Sequence, residues 1–506
     1  MVDLAQCKME ELEAENKRLE LRVQVLEREL YGSRADKRPK EDGQQETFPD
    51  IDASAEGPAP ESEKTSPTGE QLKAPARKER KGKKKGPKPL NPDLARVEER
   101  IADPDLDDLI CPITGQVMKR AFEEKIEVLA RKPPEYYVRV LRRWVYASPS
   151  GDALSYSSWP ANVMPKSRID VSIVANLLTS RFADHQPYYP QSRQYQRHEV
   201  RIAESTMVSL VKLACQKLEP IYKKIIEQVI ASGYIMMDPT PVRLKTDQKK
   251  GSTKEAAMWT YRALDGPVFF EFATSKSGET PKETLKDYQG ILHTDGASNF
   301  GGVPTQEGVT ALNCWAHLRR YYLRSAEAGE PEANAYLDRI DRLFYIERVM
   351  RRFPLQACDV LKLRQRHSLP KVDALFKDAI AAAKHGPLLK TLKTPFSKAV
   401  KYTLNRTEEL RECFLHAPSR IDTNPAENAL RPIKLGAKNW LFIGHSNAGP
   451  RAAQMFTLIE NCRMLGLNPE TYLMDVLTRI DEHPNRRIDE LTPHGWNKTQ
   501  KQSQQD

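Results

Sequence analysis

Three acidic residues stand in three short blocks of this chain: Asp238 in GYIMMDPTPVRL, Asp295 in GILHTDGASNFGG and Glu427 in RIDTNPAENALRPIK. The first two follow apolar, strand-forming runs. The third stands just after the start of a helix-forming run. Two strand-end aspartates and a later helical glutamate offer the hard oxygen donors that magnesium prefers. A pair of such ions clamps the attacking and leaving oxygens of an in-line phosphodiester displacement. Any one of these residues alone carries little, because the chain has 69 Asp plus Glu and a strand-end aspartate is commonly a turn former. The combination, with its neighbouring sequence, carries the expectation.

Other residues near these blocks have chemistry to offer. In CWAHLRR, Cys314 and His317 have metal-ligand spacing, but one such pair cannot complete a four-ligand zinc site. A buried strand-to-helix junction is the alternative reading of that block. Arg431, Lys434 and Lys438 follow Glu427 at spacings of four, three and four, so on an uninterrupted helix they would share its face and meet phosphates. Pro432 and Gly436 argue against an uninterrupted helix. Trp440 and Phe442 read as core residues rather than base-stacking ones.

The elements that must position these groups follow from the pattern of apolar runs. GYIMMDPTPVRL, AAMWTYRAL and PVFFEFATSK read as three strands with short polar breaks. TPKETLKDY reads as a helix opened by Thr280 and Pro281. GILHTDG is a fourth strand, and ALNCWAHLRRYYLRSAEAG a strand turning into a helix. Across 233–325 this is the order of an α/β core of the ribonuclease H-like kind. Its first and fourth strands lie side by side, which would bring Asp238 and Asp295 together. Residues 326–420 read as a helical insertion. Residues 421–480 complete the core with the Glu427 helix and a helical hairpin, and 481–506 form a flexible tail.

Ahead of the core, 161–232 reads as three helices. Ser205 would cap the third, with Val208, Val211, Leu213 and Cys215 on its buried face. Arg193, Arg197, His198 and Arg201 near the joints suit a helix-turn-helix DNA-binding module, with an ordinary helical linker as the alternative. Residues 1–31 carry Met9, Leu12, Asn16, Leu19, Val23, Leu26 and Leu30 at alternating spacings of three and four. That suits a short coiled coil, in which the single Asn favours a parallel, in-register dimer, with a solitary amphipathic helix packed on its own protein as the alternative. Residues 32–95 form a disordered linker containing the basic run RKERKGKKKGPK. Residues 96–160 start like a zinc module, but Cys111 has no cysteine partner, so the module is degenerate. The basic and apolar residues of EYYVRVLRRWVYAS suit a strand pair.

The net charge of +10 and pI near 9.0 point to an anionic partner, with nucleic acid foremost. Seven cysteines without a CxxC pair exclude a zinc ribbon and a disulfide framework and fit a reducing compartment. With no secretory signal or membrane-length apolar run, a soluble, cytoplasmic, nucleoid-associated protein is expected.

At this point four blocks become recognisable: MDPTPVR, CWAHLRR, DTNPAENALRPIKLGAKNWLFIG and LNPETYLMDVLTRI. From about 161 to 480 the chain resembles transposases of the insertion sequence 66 family, the large subunit of that bacterial mobile element. The resemblance implies a DDE triad on Asp238, Asp295 and Glu427, magnesium as metal (with manganese as substitute), and transposon-end DNA as substrate. It implies donor cleavage by water, then attack of the freed 3′ hydroxyl on target DNA, with small accessory proteins as further partners. A Cys-x-x-His element follows the second aspartate in several DDE groups, so His317 is expected beside the site as an auxiliary residue. Arg319 and Arg320 join Arg193, Arg197, Arg201, Arg431, Lys434 and Lys438 as expected DNA contacts. Two departures stand out. Pro239 occupies a position that is often acidic in the family, and the family's N-terminal cysteine pairs are reduced to Cys111, so zinc is not expected. His317-Leu-Arg-Arg320 also matches the H-x-x-R of tyrosine recombinases, which would need Tyr345 or Tyr402 as nucleophile. A catalytically inactive DNA-binding relic is the non-enzymatic alternative.

Overall fold

The computed structural model describes residues 135–142, 145–147, 154–156, 169–246, 252–297, 300, 302–385 and 394–503. The expected coiled coil, the basic linker and most of the zinc-module-like region lie outside the described residues. Of the unit Pro39–Val140, only 135–140 is described, and it has no regular structure. The elements below belong to the other unit.

A small antiparallel pair, β1 (Val145–Ala147) and β2 (Leu154–Tyr156), precedes three helices. These are α1 (Val171–Phe182), α2 (Tyr188–Gln196) and α3 (Glu204–Ile230). Asp170 caps α1 by accepting from the Ser172 N–H at 2.9 Å. Along α3, Met207, Leu210, Val211, Ala214, Cys215, Leu218, Ile221, Ile225 and Val229 form one buried stripe at helical spacing. That stripe corrects two sequence readings. Ser205 lies inside the first turn, with Ala203 at the cap, and Val208 falls off the stripe and is exposed.

The sheet has five strands: β3 (Tyr234–Lys245), β4 (Thr253–Ala263), β5 (Val268–Ala273), β6 (Gly290–Thr294) and β7 (Val309–Asn313). Their order is β5-β4-β3-β6-β7. The first three form an antiparallel meander, whereas β6 and β7 run parallel to β3. A short helix, α4 (Glu279–Thr284), joins β5 to β6; Gly278 caps it in place of Thr280. The expected pairing of the first and fourth strands is present. Met236 faces His293, so Asp238 and Asp295 each follow two residues after the last paired position.

β6 covers only the first residues of one β3 edge. Farther along that edge, Ile443 donates its N–H to Arg243 O at 2.8 Å and accepts from the Lys245 N–H at 2.9 Å. By strand alternation, residues 239 and 241 direct their backbone groups to this same edge. Both are proline, so the uncovered stretch between β6 and Ile443 carries no unsatisfied N–H there.

After β7 come α5 (Trp315–Glu327), α6 (Ala333–Met350), α7 (Ala357–Leu363), a π-turn (Arg364–Ser368), α8 (Leu369–His385), α9 (Pro395–Leu404) and α10 (Thr407–Glu412). Their core joins Trp315, Leu318 and Tyr322 to Ile340, Leu343, Leu375 and Val400. The chain returns to the sheet through α11 (Asn424–Trp440), α12 (Ala448–Met464) and α13 (Pro469–Arg479). On α12, Thr457 Oγ1 accepts from the Phe270 N–H and Asn461 bonds both backbone groups of Val268, docking the helix on β5.

Three further readings are corrected here. First, α11 runs unbroken through Pro432 and Gly436. Proline costs one bond to the carbonyl of exposed Asn428, which water can satisfy. Gly436 is required by close approach, since a Cβ there would lie 2.7 Å from His185 Nδ1. Second, Phe442 is exposed and Trp440 only half-buried. Third, the segment expected as a loose tail holds a 3-10 turn (Asn485–Leu491) and α14 (Pro493–Ser503). Leu491 is buried, Tyr472 donates to its carbonyl at 2.7 Å, and Trp496 donates to Asp475 at 2.7 Å. A few anchoring residues inside a polar stretch suffice to hold it. Among the described residues, no helix is long and apolar enough to cross a membrane.

Candidate active site

Asp238 sits on the central strand, 9% exposed. Burial, then the nearby charges of Asp295 and Glu427, push its carboxyl up to about 8, against a smaller opposite pull from Lys434 and Arg320. The three acids picked out in the sequence therefore belong to one electrostatic cluster, although they come from β3, the end of β6 and the first turn of α11.

Each is held in place by backbone and side-chain contacts. The Asp295 turn is fixed from the helical insertion. Tyr402 donates its hydroxyl to Asp295 O at 2.6 Å, and Arg406 donates to Gly296 O through Nε at 3.0 Å and through Nη2. Gly296 has φ +76, and a Cβ would meet Arg406 Nε at 2.3 Å, so only glycine fits. Thr294 Oγ1 accepts from the Gly296 N–H at 3.1 Å, and Asp295 Oδ1 from the Ala297 N–H at 2.9 Å. The start of α11 is tied at three points. Arg262 of β4 donates to Pro425 O at 3.0 Å, Cys314 Sγ accepts from the Thr423 N–H at 3.3 Å, and the Trp315 N–H reaches Ile421 O at 2.8 Å. Sequence reasoning missed Tyr402 as an anchor, and missed Arg406, Arg262 and Thr294 altogether. Tyr402, Arg406 and Arg262 carry no local motif, since each acts across a long separation, whereas Thr294 acts on the turn two residues ahead of it.

Glu427 lies in the first turn of α11, where the helix dipole favours a negative charge. Arg320 Nη2 donates to both its oxygens, at 2.7 and 2.8 Å. Arg320 Nη1 also donates to His317 Nε2 at 3.1 Å, and His317 Nε2 stands 3.6 Å from Glu427 Oε1. Because arginine only donates, Nε2 is the bare nitrogen of His317 and Nδ1 carries the proton. Burial, then the Arg320 charge, holds this imidazole below its ordinary pKa. On Arg320 itself burial works downward, but Glu427 prevails and the guanidinium lies above its usual value.

The remaining expected residues divide into groups. On the continuous α11, Glu427, Arg431, Lys434 and Lys438 fall on one side, and the three cations are exposed. Arg319 pairs with Asp341 of α6 through two bonds, at 2.6 and 3.2 Å. Arg193, Arg197 and Arg201 are exposed on α2 and the loop after it and are absent from the main charges acting on Asp238. Of the two tyrosines weighed as nucleophiles, Tyr402 is spent on Asp295 O, and burial pushes its phenol far above the ordinary value. Tyr345 lies on α6, with the Arg342 guanidinium 5.1 Å from its ring centroid.

The described residues hold no group of three or more His, Cys, Asp or Glu gathered closely enough to bind a metal ion. Glu427, the third carboxylate, is instead bonded to Arg320. The donor set still suits a hard divalent ion. Asp238 bears repulsion from two neighbouring carboxylates that Lys434 and Arg320 only partly offset, and a cation among them would remove it.

Comparison with known proteins identifies the family. Residues 166–451 match the model of the transposase IS66 family, and 457–494 match the IS66 C-terminal element. Three proteins of Sinorhizobium fredii are similar along most of their length. The uncharacterized protein y4hP is 27% identical over 94% of this chain and 88% of its own. The uncharacterized protein y4qI is 27% identical over 82% and 78%, and y4jD 24% identical over 72% and 71%. With more than half of its length matched by the family model, the chain belongs to the IS66 family of transposases.

Proposed function

We propose that the chain is a DDE transposase, built on a ribonuclease H-like core, that cleaves transposon ends and joins their 3′ hydroxyls to target DNA. Asp238, Asp295 and Glu427 would hold two divalent ions, magnesium or manganese. When bound, these ions stabilise charge on the attacking and leaving oxygens of the displacement. The single observation that carries the reading is the parallel pairing of β3 with β6, which sets Asp238 and Asp295 each two residues beyond the last paired position of neighbouring strands. Glu427 is among the charges acting on Asp238, which supports its inclusion. The strand order β5-β4-β3-β6-β7 supports the core assignment.

The chain's own groups divide the remaining work. Arg431, Lys434 and Lys438 would bind phosphates along α11, and Arg320 and His317 would meet the scissile phosphate. Arg193, Arg197 and Arg201 would contact DNA from the helix-turn-helix-like region. In the first step water adds to phosphorus and the 3′ oxygen leaves as a hydroxyl; in the second that hydroxyl attacks a target phosphodiester, whose P–O3′ bond breaks so that the target's 3′ oxygen leaves as a hydroxyl. Residues 1–31 would pair two copies, zinc takes no part, and small accessory proteins are possible partners in the nucleoid.

The test is cleavage of labelled terminal-repeat DNA with magnesium and with EDTA, resolved on denaturing gels that retain any protein–DNA adduct. Metal-dependent nicking with free 3′ hydroxyls, lost in Asp238→Ala, Asp295→Ala and Glu427→Ala while binding persists, is the expected outcome. Retained cleavage by Asp238→Ala, or a covalent adduct, would overturn the assignment.

A further inference from the structure

We propose that Leu441 and Phe442 form an apolar wedge that enters the base stack of the bound DNA end. The inference rests on the transposase reading above and deepens it by one contact. Both side chains are large, apolar and open to solvent, Leu441 at 65% and Phe442 at 40% exposure. They follow directly on α11, at the end of the stripe Arg431, Lys434 and Lys438.

The backbone is built to present them. Leu441 has φ 62 and ψ −48, and the Phe442 N–H donates to Trp440 O at 2.7 Å. This is the strained form of the three-residue γ-turn, which a leucine rarely adopts. The strain is held from one side, because Ile443 is locked by two hydrogen bonds to the edge of β3. An outlier kept by its surroundings at the end of a functional helix is a pointer to function.

Position supplies the occupant. The β3 edge that carries β6, and so Asp295, also carries Ile443, with Pro239 and Pro241 facing the open strip between them. From Asp238 to Arg243 that strip runs about 17 Å at ~3.3 Å per residue, or roughly five base steps at ~3.4 Å each. A DNA strand whose scissile phosphate lies at Asp238 and Asp295 would follow the basic stripe and reach the turn within that distance. Apolar side chains inserted at a base step unstack it, and an aromatic ring can then hold the freed base. The adjoining lysines favour DNA over a protein partner, since the cores of protein interfaces are depleted of lysine.

The experiment uses the full chain in EDTA and a duplex carrying the terminal repeat that flanks its coding sequence, with 2-aminopurine moved one position at a time from the cleavage site. A several-fold rise in fluorescence is expected at one position. Leu441→Ser with Phe442→Ser should return it to the level of the free duplex, while binding weakens by no more than about tenfold because the basic stripe is intact. Phe442→Trp should keep the signal. Leu441→Gly should relax the turn and raise Tm, yet lower the signal. Binding and cleavage by the wild-type chain with no fluorescence rise, or a signal unchanged in the double serine variant, would overturn the wedge alone. So would a change of oligomeric state in that variant, which would make the face a contact between copies. Failure of the wild-type chain to bind the duplex would overturn the transposase reading as well.

Discussion

Arg320 donates two hydrogen bonds to the carboxylate that should complete the metal site, so it competes with any cation for Glu427. The pair is partly exposed, at 45% and 24%, which limits its worth to about 1 kcal/mol after solvent screening. Arg320→Gln should therefore raise Mn2+ affinity in the absence of DNA by roughly five- to tenfold, read by electron paramagnetic resonance. Equal affinity in the two proteins would show that the pair does not restrain Glu427. Asp238 allows a second prediction, with a definite sign. In the unfolded chain its carboxyl ionises near about 4, whereas in the folded protein it keeps its proton up to about 8. Between those values the folded state holds the extra proton, so this residue's contribution to stability falls as pH rises and levels off above the window. Asp238→Asn removes that fall. In EDTA its Tm should match the parent below the window and exceed it above, by on the order of 5 kcal/mol in stability. A parallel pH dependence of the two melting curves would contradict the burial of charge at this site.

The elements show where local sequence pattern carries the fold and where it stops. Short apolar runs broken by polar turns made the five strands legible, and their order placed Asp238 beside Asp295 before any coordinates. Helix existence in 161–232 was equally plain from apolar spacing. What escaped is everything set by partners far away in sequence. Glu427 and Arg320 are 107 residues apart, so their pairing leaves no periodic trace, and Arg320 read as a DNA contact or as the arginine of an H-x-x-R motif. Arg319 looked equivalent to Arg320, but one position along a helix turns a side chain by about 100°, and it reaches Asp341 instead. Pro432 read as a helix breaker because its cost is local, while the packing of Ala429, Leu430 and Ile433 that overrides it is tertiary. The helical insertion read as an appendage, yet its α9 and the turn after it supply Tyr402 and Arg406, which fix the Asp295 turn. That contact makes the insertion part of the site. Arg406→Ala should slow single-turnover cleavage by about tenfold, the worth of one charged hydrogen bond of ~1.5 kcal/mol, with end binding unchanged. An equal loss of binding and cleavage would mean that the insertion holds DNA rather than Asp295.

At the scale of the whole molecule, the question is how one cleavage site serves an element with two ends. If the proposed site at Asp238, Asp295 and Glu427 is the one that cuts, joining both ends calls for at least two chains held together. The coiled-coil pattern at 1–31 is the part of the sequence suited to that task. In that pattern Asn16 occupies a core position flanked by Met9 and Val23. A polar residue there is a specificity device: two asparagines pair across a parallel dimer in register, and other arrangements leave them buried without partners. Asn16→Ile should remove that constraint, strengthening association while admitting trimers or tetramers. Deletion of 1–31 should yield a monomer. Sedimentation equilibrium reads both changes directly. The deletion should still bind a single terminal repeat, because the basic stripe and the sheet are untouched, and salt should weaken that binding steeply, as it does wherever phosphates are neutralised by Lys and Arg. Coupled cleavage of two ends on one DNA molecule should be lost. If the deleted protein stays dimeric and still cuts both ends together, pairing must reside in the catalytic body, and the exposed Leu441–Phe442 turn becomes the first place to look for it.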